Sequence, residues 1–146
     1  MSVSGGRSLL LTSAVLLTGC SAHDRGLGGR PLEPSARDNV SILSASPPVE
    51  TVLHPGDKVP LRVEVEYTLS TAESGTITLV VQRAEEEYRP LANESRGVRR
   101  GSGRAVLTTQ IEVPETTAIR VLTPLTPQGV TSTRIVSSRT YAVTKR

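Results

Sequence analysis

A strict alternation of apolar and polar residues between Val59 and Leu69 constrains the fold of this chain more than any other stretch. The apolar residues occupy the odd-numbered positions and the polar residues the even-numbered ones. The apolar set is Leu61, Val63, Val65, Tyr67 and Leu69, and the polar set is Arg62, Glu64, Glu66 and Thr68. Successive side chains of an extended strand point to opposite faces, so all the apolar side chains fall on one side. The stretch therefore predicts a half-buried strand of an antiparallel sheet whose charged face is in solvent.

Weaker patterns of the same kind occupy most of the remaining chain, and no window has the 3.6-residue periodicity of an amphipathic helix. The predicted strands are Val40–Ser46 with an edge continuation at Val49–Leu53, Thr76–Ala84, Ala105–Val113, Ala118–Leu122 and Thr131–Thr144. His54-Pro55-Gly56-Asp57 has the composition of a turn, and the polar residues 70–75 predict a hairpin between two strands. Pro124 and Pro127 argue against a central strand after Leu122. Arg139 falls on the same predicted strand face as Tyr141 and Val143, which indicates a bulge or an edge position.

These patterns predict an all-β fold, an antiparallel β-sandwich of about seven short strands. With three Tyr and no Phe or Trp, the core must be built from Val, Leu and Ile. In this pattern residues 39–146 resemble the immunoglobulin-like and fibronectin type III-like domains of bacterial surface proteins. The cysteine pair and the buried Trp of immunoglobulins are absent, so strand order stays open, and a small β-barrel or a transthyretin-like sandwich fits the same pattern.

The N-terminal segment has the features of a signal peptide. Arg7 supplies a positive charge, and Ser8–Leu17 is an apolar run of ten residues, too short to cross a hydrocarbon core of about 30 Å as a helix. Cys20, the single cysteine of the chain, follows this run directly. A thiol at that position has no disulfide partner within the chain and is a nucleophile available for acylation.

Leu17-Thr18-Gly19-Cys20 resembles the lipobox of bacterial lipoprotein precursors. The resemblance implies a signal peptide at 1–19, a thioether to diacylglycerol (with acylation such as palmitate) at Cys20, and a protein held on the cell membrane or outer membrane, facing the periplasm or the cell exterior. Ser21 in place of Asp favours onward sorting to an outer membrane. Residues 20–38, rich in Gly, Pro, Ser and charge, predict a flexible linker.

Four arginines, Arg96, Arg99, Arg100 and Arg104, lie among glycines and serines in a stretch, residues 85–104, that is predicted to be irregular. One interpretation is a flexible basic loop that binds phosphates or carboxylates of lipid headgroups, glycans or a protein partner. The alternative, which we favour, is a solvated loop whose arginines offset the acidic run Glu85–Glu87.

The remaining residues exclude several classes of function. The chain has 17 basic and 14 acidic residues, a balance unlike that of a nucleic-acid-binding protein. His23 with Asp24 and His54 with Asp57 are the pairs that resemble metal or catalytic sites, but a linker and a turn explain them better, and we expect no metal, cofactor or small-molecule substrate. We therefore expect a non-catalytic, lipid-anchored binding or structural module of the bacterial envelope with a protein partner, or an accessory subunit of a secretion or transport assembly. Glycan binding is disfavoured because aromatic side chains are scarce.

Overall fold

The computed structural model describes residues 37–146, which are all-β. The predicted signal peptide, Cys20, His23, Asp24 and most of the predicted linker lie outside the described residues. The described part contains five strands: β1 (Asn39–Ser46), β2 (Lys58–Arg83), β3 (Pro90–Glu112), β4 (Ala118–Pro127) and β5 (Val136–Ala142). All of them pair in antiparallel fashion in one sheet. The predictions of an all-β fold and of antiparallel pairing are therefore confirmed.

The two halves of β2 have different neighbours, and this change curls the sheet. The first half pairs with β1 on one side and β3 on the other, whereas the second half lies between β3 and β4. Between them the register slips: Leu69 pairs with Gly101 and Ser74 with Arg99, so residues 70–73 face Arg100 alone. The extra residues bend β2, as bulges do, and bring β1 against β5 across the core.

The count of about seven separate strands is not confirmed, because the described residues form five. The expected turn at residues 70–75 lies inside β2, since its backbone stays extended through the bend. The expected irregular stretch at residues 85–104 is mostly strand β3, which begins at Pro90. The predicted hairpin is therefore one long, bent strand, and the predicted irregular stretch forms a second long, bent strand together with the predicted strand Ala105–Val113.

The prolines after Leu122 do not end the strand. β4 continues to Pro127 and pairs with β2 on one side and β5 on the other. The pairing with β2 is interrupted at Thr123 and Pro124 and resumes at Leu125, whose N–H donates to the Ile135 carbonyl at 2.9 Å. The missing N–H of a proline therefore interrupts the hydrogen bonds to one neighbouring strand locally but does not end the strand.

The core consists of the aliphatic side chains that the alternation predicts. Val63, Val65, Ile77, Leu79 and Leu107 are completely buried. At about 25 cal/mol per Å² of apolar area removed from water, this face supplies the main driving force for folding. The prediction of the buried face for β2 and for the end of β3 is confirmed, with Tyr67 half-buried.

Candidate functional site

The four predicted arginines lie in the central part of strand β3, on both sides of the bend, instead of in one flexible loop. All four are exposed, but their partners differ. Arg96 donates from Nη1 to the Val106 carbonyl at 3.0 Å, Arg100 pairs with Glu73 at 2.9 Å, and Arg104 lies 3.8 Å from Glu64. The expectation that these arginines offset Glu85–Glu87 is not what the structure shows, since their carboxylate partners are on β2.

Two of the intervening glycines have structural reasons to be there. Gly101 has a φ of +114° at the bend, a conformation that other residues rarely adopt. A Cβ on Gly103 would lie 2.9 Å from the Tyr67 hydroxyl oxygen. Two glycines that the sequence alone presents as flexibility are therefore explained by a bend and by close packing.

Arg96 acts together with Glu94 to close one side of the curled sheet. Both side chains reach from the first half of β3 to the outer edge of its second half, where Glu94 Oε2 accepts from the Thr108 N–H at 2.8 Å and Arg96 donates to Val106. These two backbone groups face away from β2 and would otherwise be open to another strand. Arg96 is thus a structural residue.

The opposite side of the sheet is closed in the same manner by two side chains of β5. Ser137 Oγ accepts from the Ile42 N–H at 3.1 Å, and Arg139 Nη2 donates to the Ile42 carbonyl at 3.1 Å. The predicted edge position of Arg139 therefore has a specific reason. In both cases the two side chains are two positions apart on one strand, so they share a face and reach the same neighbouring edge.

The end of the domain where the described chain begins is held by Asp38. One carboxylate oxygen accepts from the Ser70 N–H at 2.6 Å and the Thr71 N–H at 3.1 Å, and the hydroxyls of Ser70 and Thr71 also donate to the carboxylate. Desolvation raises the pKa of Asp38, but these hydrogen bonds to the charged form outweigh it and hold the pKa below its usual value. Asp38 therefore joins the first described residues to the bend of β2.

We call the end of the domain at which Asp38 binds the bend of β2 the entry end. Its surface is basic. Arg99 and Arg100, together with Glu73 and Ser74, line a depression of about 450 Å³ beside the bend. The β4–β5 connection joins the same end, since Gln128 N donates to the Ser74 carbonyl at 2.8 Å. Two further exposed arginines belong to segments that reach this end, since Arg37 precedes Asp38 and Arg134 lies in the β4–β5 connection. Sequence reasoning missed these two because they are remote from the cluster in sequence.

The opposite end of the domain is held together by Glu85. Its carboxylate accepts from the Thr116 hydroxyl at 2.5 Å and from the Thr117 hydroxyl and N–H at 2.6 and 3.1 Å. The hydrogen bond from Thr116, followed by those from Thr117, lowers the pKa of Glu85 to about 2. Glu85 therefore ties the β2–β3 connection to the β3–β4 connection.

His54 and Asp57 do not form a catalytic or metal-binding pair. The Asp57 N–H donates to the His54 carbonyl at 3.1 Å, as the predicted turn requires. His54 Nδ1 donates to the Thr144 carbonyl at 2.6 Å, and the Asp57 carboxylate binds Arg146 at 3.2 Å. Both side chains therefore hold the C-terminal residues. Within the described residues no His, Cys, Asp and Glu side chains gather in a group of three or more that could hold a metal.

A groove of about 440 Å³ crosses the outer face of the sheet near the opposite end, and sequence reasoning did not identify it. Val80 and Leu122 form a cross-strand pair on its floor, with Pro124, Val136 and Tyr88 at its walls. Tyr88 is 91% exposed and has a φ of +66°, a strained value for a non-glycine residue. Val80 is an apolar residue at a position of β2 where the alternation would place a polar one. This departure is the signal for the groove in the sequence.

The comparisons with known proteins do not assign the chain to a family. No protein-family model and no curated protein matches the sequence. A β-glucosidase from Listeria innocua, solved with gluconolactone, is similar over 73% of this chain and 16% of the glucosidase chain, with a TM-score of 0.43 and 17% identity. Among residues 37–146 there is no helix long and apolar enough to cross a bilayer.

Proposed function

We propose that the protein is a lipid-anchored, non-catalytic binding or structural module of the bacterial cell envelope. The observation that carries the proposal is the order of the first twenty residues, with a charge at Arg7, an apolar run and then Leu17-Thr18-Gly19-Cys20. A diacylglyceryl thioether at Cys20, with a second acylation, supplies the two hydrophobic anchors that stable membrane attachment needs.

The non-catalytic role is supported by what the ionisable side chains do. Asp38, Glu85, Glu94, Arg96 and Arg139 each form hydrogen bonds that hold loops or sheet edges together. A catalytic acid or base must instead be free to exchange protons with a bound substrate.

We further propose that the curled sheet is an immunoglobulin-like or fibronectin type III-like sandwich. The halves of β2 and of β3 on either side of the bend would occupy four strand positions, so that five continuous strands fill seven. The different neighbours of the two halves of β2 support this assignment. Amide hydrogen exchange by NMR tests it: amides of residues 72 and 73 should exchange much faster than those of Val65 and Leu79. Uniform slow exchange along β2 would contradict the bend.

A second candidate is an accessory lipoprotein subunit of an envelope secretion or transport assembly. The observation that favours it is the apolar groove on the outer face, where Tyr88 and Val136 are 91% and 49% exposed. Exposed aromatic and aliphatic side chains around a concave surface are typical of subunit contacts.

Metabolic labelling tests the anchor. Cells that express the chain are grown with an alkyne analogue of palmitate, and wild type is compared with Cys20→Ser and with the control Ser21→Ala. Label on wild type and Ser21→Ala but not on Cys20→Ser is the expected result. Equal labelling of wild type and Cys20→Ser, or no labelling of either, would remove the proposal.

Purification from detergent-solubilised membranes separates the two candidates. A free lipoprotein supports the independent module, and a complex of fixed stoichiometry supports the accessory subunit. Tyr88→Ala tests the groove in the second case, because loss of the complex without a change in melting temperature would locate the contact there.

A further inference from the structure

The first described residues lie at one defined end of the domain. Asp38 is bound to Ser70 and Thr71 at the bend of β2, so the chain arrives at the entry end. About 18 residues separate Asp38 from Cys20 in the sequence, and a flexible linker of that length, as the sequence predicts, would have a root-mean-square reach of roughly 24 Å. The C-terminal residues, by contrast, lie at the opposite end, where Arg146 contacts Asp57.

The entry end is also the basic end of the domain. Its exposed basic residues are Arg37, Arg99, Arg100 and Arg134. Two carboxylates of the described residues at this end are already engaged, since Asp38 accepts four hydrogen bonds from Ser70 and Thr71 and Glu73 pairs with Arg100.

The opposite end has no such excess of basic residues. Its acidic residues, Glu85–Glu87, Asp57, Glu112 and Glu115, are accompanied by Lys58, Arg83, Arg89, Lys145 and Arg146. Two of its basic side chains are paired there, Lys145 with Glu115 at 3.0 Å and Arg146 with Asp57. The two ends of the domain therefore differ in charge, and the positive end is the one at which the chain from Cys20 arrives.

We propose that the entry end binds the anionic phosphate headgroups of the membrane in which Cys20 is anchored, and so holds the domain with Arg99, Arg100 and Arg134 against the lipid surface. The proposal rests on the lipid anchor proposed above. Guanidinium groups suit this partner because their planar array of donors matches phosphate oxygens. Each basic side chain close to an anionic membrane surface strengthens attachment by about fivefold at physiological salt.

The orientation of the domain on vesicles tests this directly, because the chain has no Trp and a single introduced Trp reports on one end. Thr131→Trp places the reporter in the β4–β5 connection at the entry end, and Tyr88→Trp places it at the opposite end. The full chain is coupled through Cys20, its single cysteine, to a maleimide-bearing phosphatidylethanolamine. This coupling supplies the anchor chemically, so the result does not depend on whether cells acylate Cys20.

Quenching of the reporter by headgroup-spin-labelled lipid is then measured on two kinds of vesicle, pure phosphatidylcholine and phosphatidylcholine with about one third phosphatidylglycerol. We expect the Trp at position 131 to be quenched more on the anionic vesicles, with the difference lost at high salt as the Debye length falls to about 3 Å at 1 M. The Trp at position 88 should be quenched weakly on both.

Charge variants identify the residues responsible. Arg99→Gln with Arg100→Gln should lower the ratio of docked to undocked domains by an order of magnitude or more, about fivefold for each arginine. Lys145→Gln with Arg146→Gln is the matched control, since it removes the same charge from the opposite end and should change nothing. Arg37→Gln with Arg134→Gln repeats the test outside the strands in case the first pair perturbs β3.

Equal quenching of the two reporters, equal quenching on neutral and anionic vesicles, or an equal effect of the control pair would overturn the proposal. So would competition by inorganic phosphate beyond that of sodium chloride at equal ionic strength, because it would indicate a site for free anions. Failure of palmitate labelling in cells would remove the anchor but would leave these measurements as they stand.

Discussion

At the scale of single residues, Glu85 shows how an exposed carboxylate can organise two loops. It is followed in sequence by Glu86 and Glu87, yet it alone of the three accepts hydrogen bonds from Thr116 and Thr117. Because hydrogen bonds to the charged form favour ionisation, the pKa of Glu85 is lowered to about 2. Glu85 is therefore a structural residue that the run of three glutamates does not distinguish in the sequence.

Glu85 should contribute to stability only where it is ionised. Its pKa falls from 4.5 in the unfolded chain to about 2 in the fold, so the contribution is present above pH 4.5 and is lost as the pH falls towards 2. Glu85→Gln should therefore lower the melting temperature at pH 6 and make little difference at pH 2. Thermal melts across this range check it, with Glu87→Gln as the control. A constant difference at every pH would contradict the assignment.

Val65 and Glu64 are neighbours on β2 that test the assignment of its two faces. Val65 is completely buried, whereas the Glu64 side chain is 28% exposed and lies 3.8 Å from Arg104. Val65→Asp places an unpaired charge in the core and should destabilise the domain by about 4 kcal/mol or more. Glu64→Gln should change stability by less than about 1 kcal/mol, since it removes a partly exposed ion pair. Chemical denaturation measures both, and similar midpoints would show that the faces are reversed.

At the scale of the strands, the curled sheet has two lateral edges, and both are closed by side chains. Glu94 and Arg96 bind backbone groups of Thr108 and Val106, and at the other edge Ser137 and Arg139 bind Ile42. Unpaired backbone groups on an edge strand invite pairing with a second molecule. These side chains occupy those groups and thereby discourage association through the edges.

Removal of one such pair should promote self-association. Glu94→Ala with Arg96→Ala keeps the net charge constant but frees the Thr108 N–H and the Val106 carbonyl. We expect a loss of stability of about 1 kcal/mol and concentration-dependent dimers or larger species in light scattering. Asn93→Ala, an exposed position on the same strand, is the control. A double variant that stays monomeric at high concentration would show that the edge is protected by other means.

At the scale of the whole molecule, Tyr141 ties the last strand to the segment that follows β1. Its side chain is completely buried, and its hydroxyl donates to the Pro47 carbonyl at 2.7 Å. A further parallel bridge joins Leu53 to Val143. These contacts lie between parts of the chain that are remote in sequence, so they form only when the sheet has curled.

Tyr141→Phe should cost about 1 kcal/mol, because the partly buried Pro47 carbonyl loses its donor. The variant should also alter stability at alkaline pH. Desolvation, with a smaller effect of the charge on Glu50, raises the pKa of Tyr141 above its ordinary value of 10.0. Its contribution is therefore complete below pH 10 and is lost as the pH rises through the folded-state pKa. The denaturation midpoints of wild type and Tyr141→Phe should differ at pH 7 and converge towards pH 11. Tyr88→Phe, at an exposed site, should match wild type at both pH values.

The sequence by itself determined the fold class, the buried face of β2 and the aliphatic core. The reason is that the alternation of apolar and polar residues along a strand is a local property of the chain. Leu61, Val63 and Val65 indicate their face without reference to any other part of the chain. The turn at His54–Asp57 was predictable for the same reason, since Pro55 and Gly56 favour it locally.

Only the tertiary structure decided where strands continue and what the charged residues contact. Residues 70–73 resemble a turn but form a bend within β2, since β3 supplies a partner on both sides of it. Pro124 and Pro127 resemble the end of a strand, but β2 and β5 hold β4 in place around the one missing ladder bond. The entry end brings together the start of the described chain, the bend of β2 and the β4–β5 connection, through Asp38 with Ser70 and Gln128 with Ser74, and this arrangement arises from the curl of the sheet. Pairing across long sequence separations depends on all the partners at once, so short patterns in the chain could not reveal it.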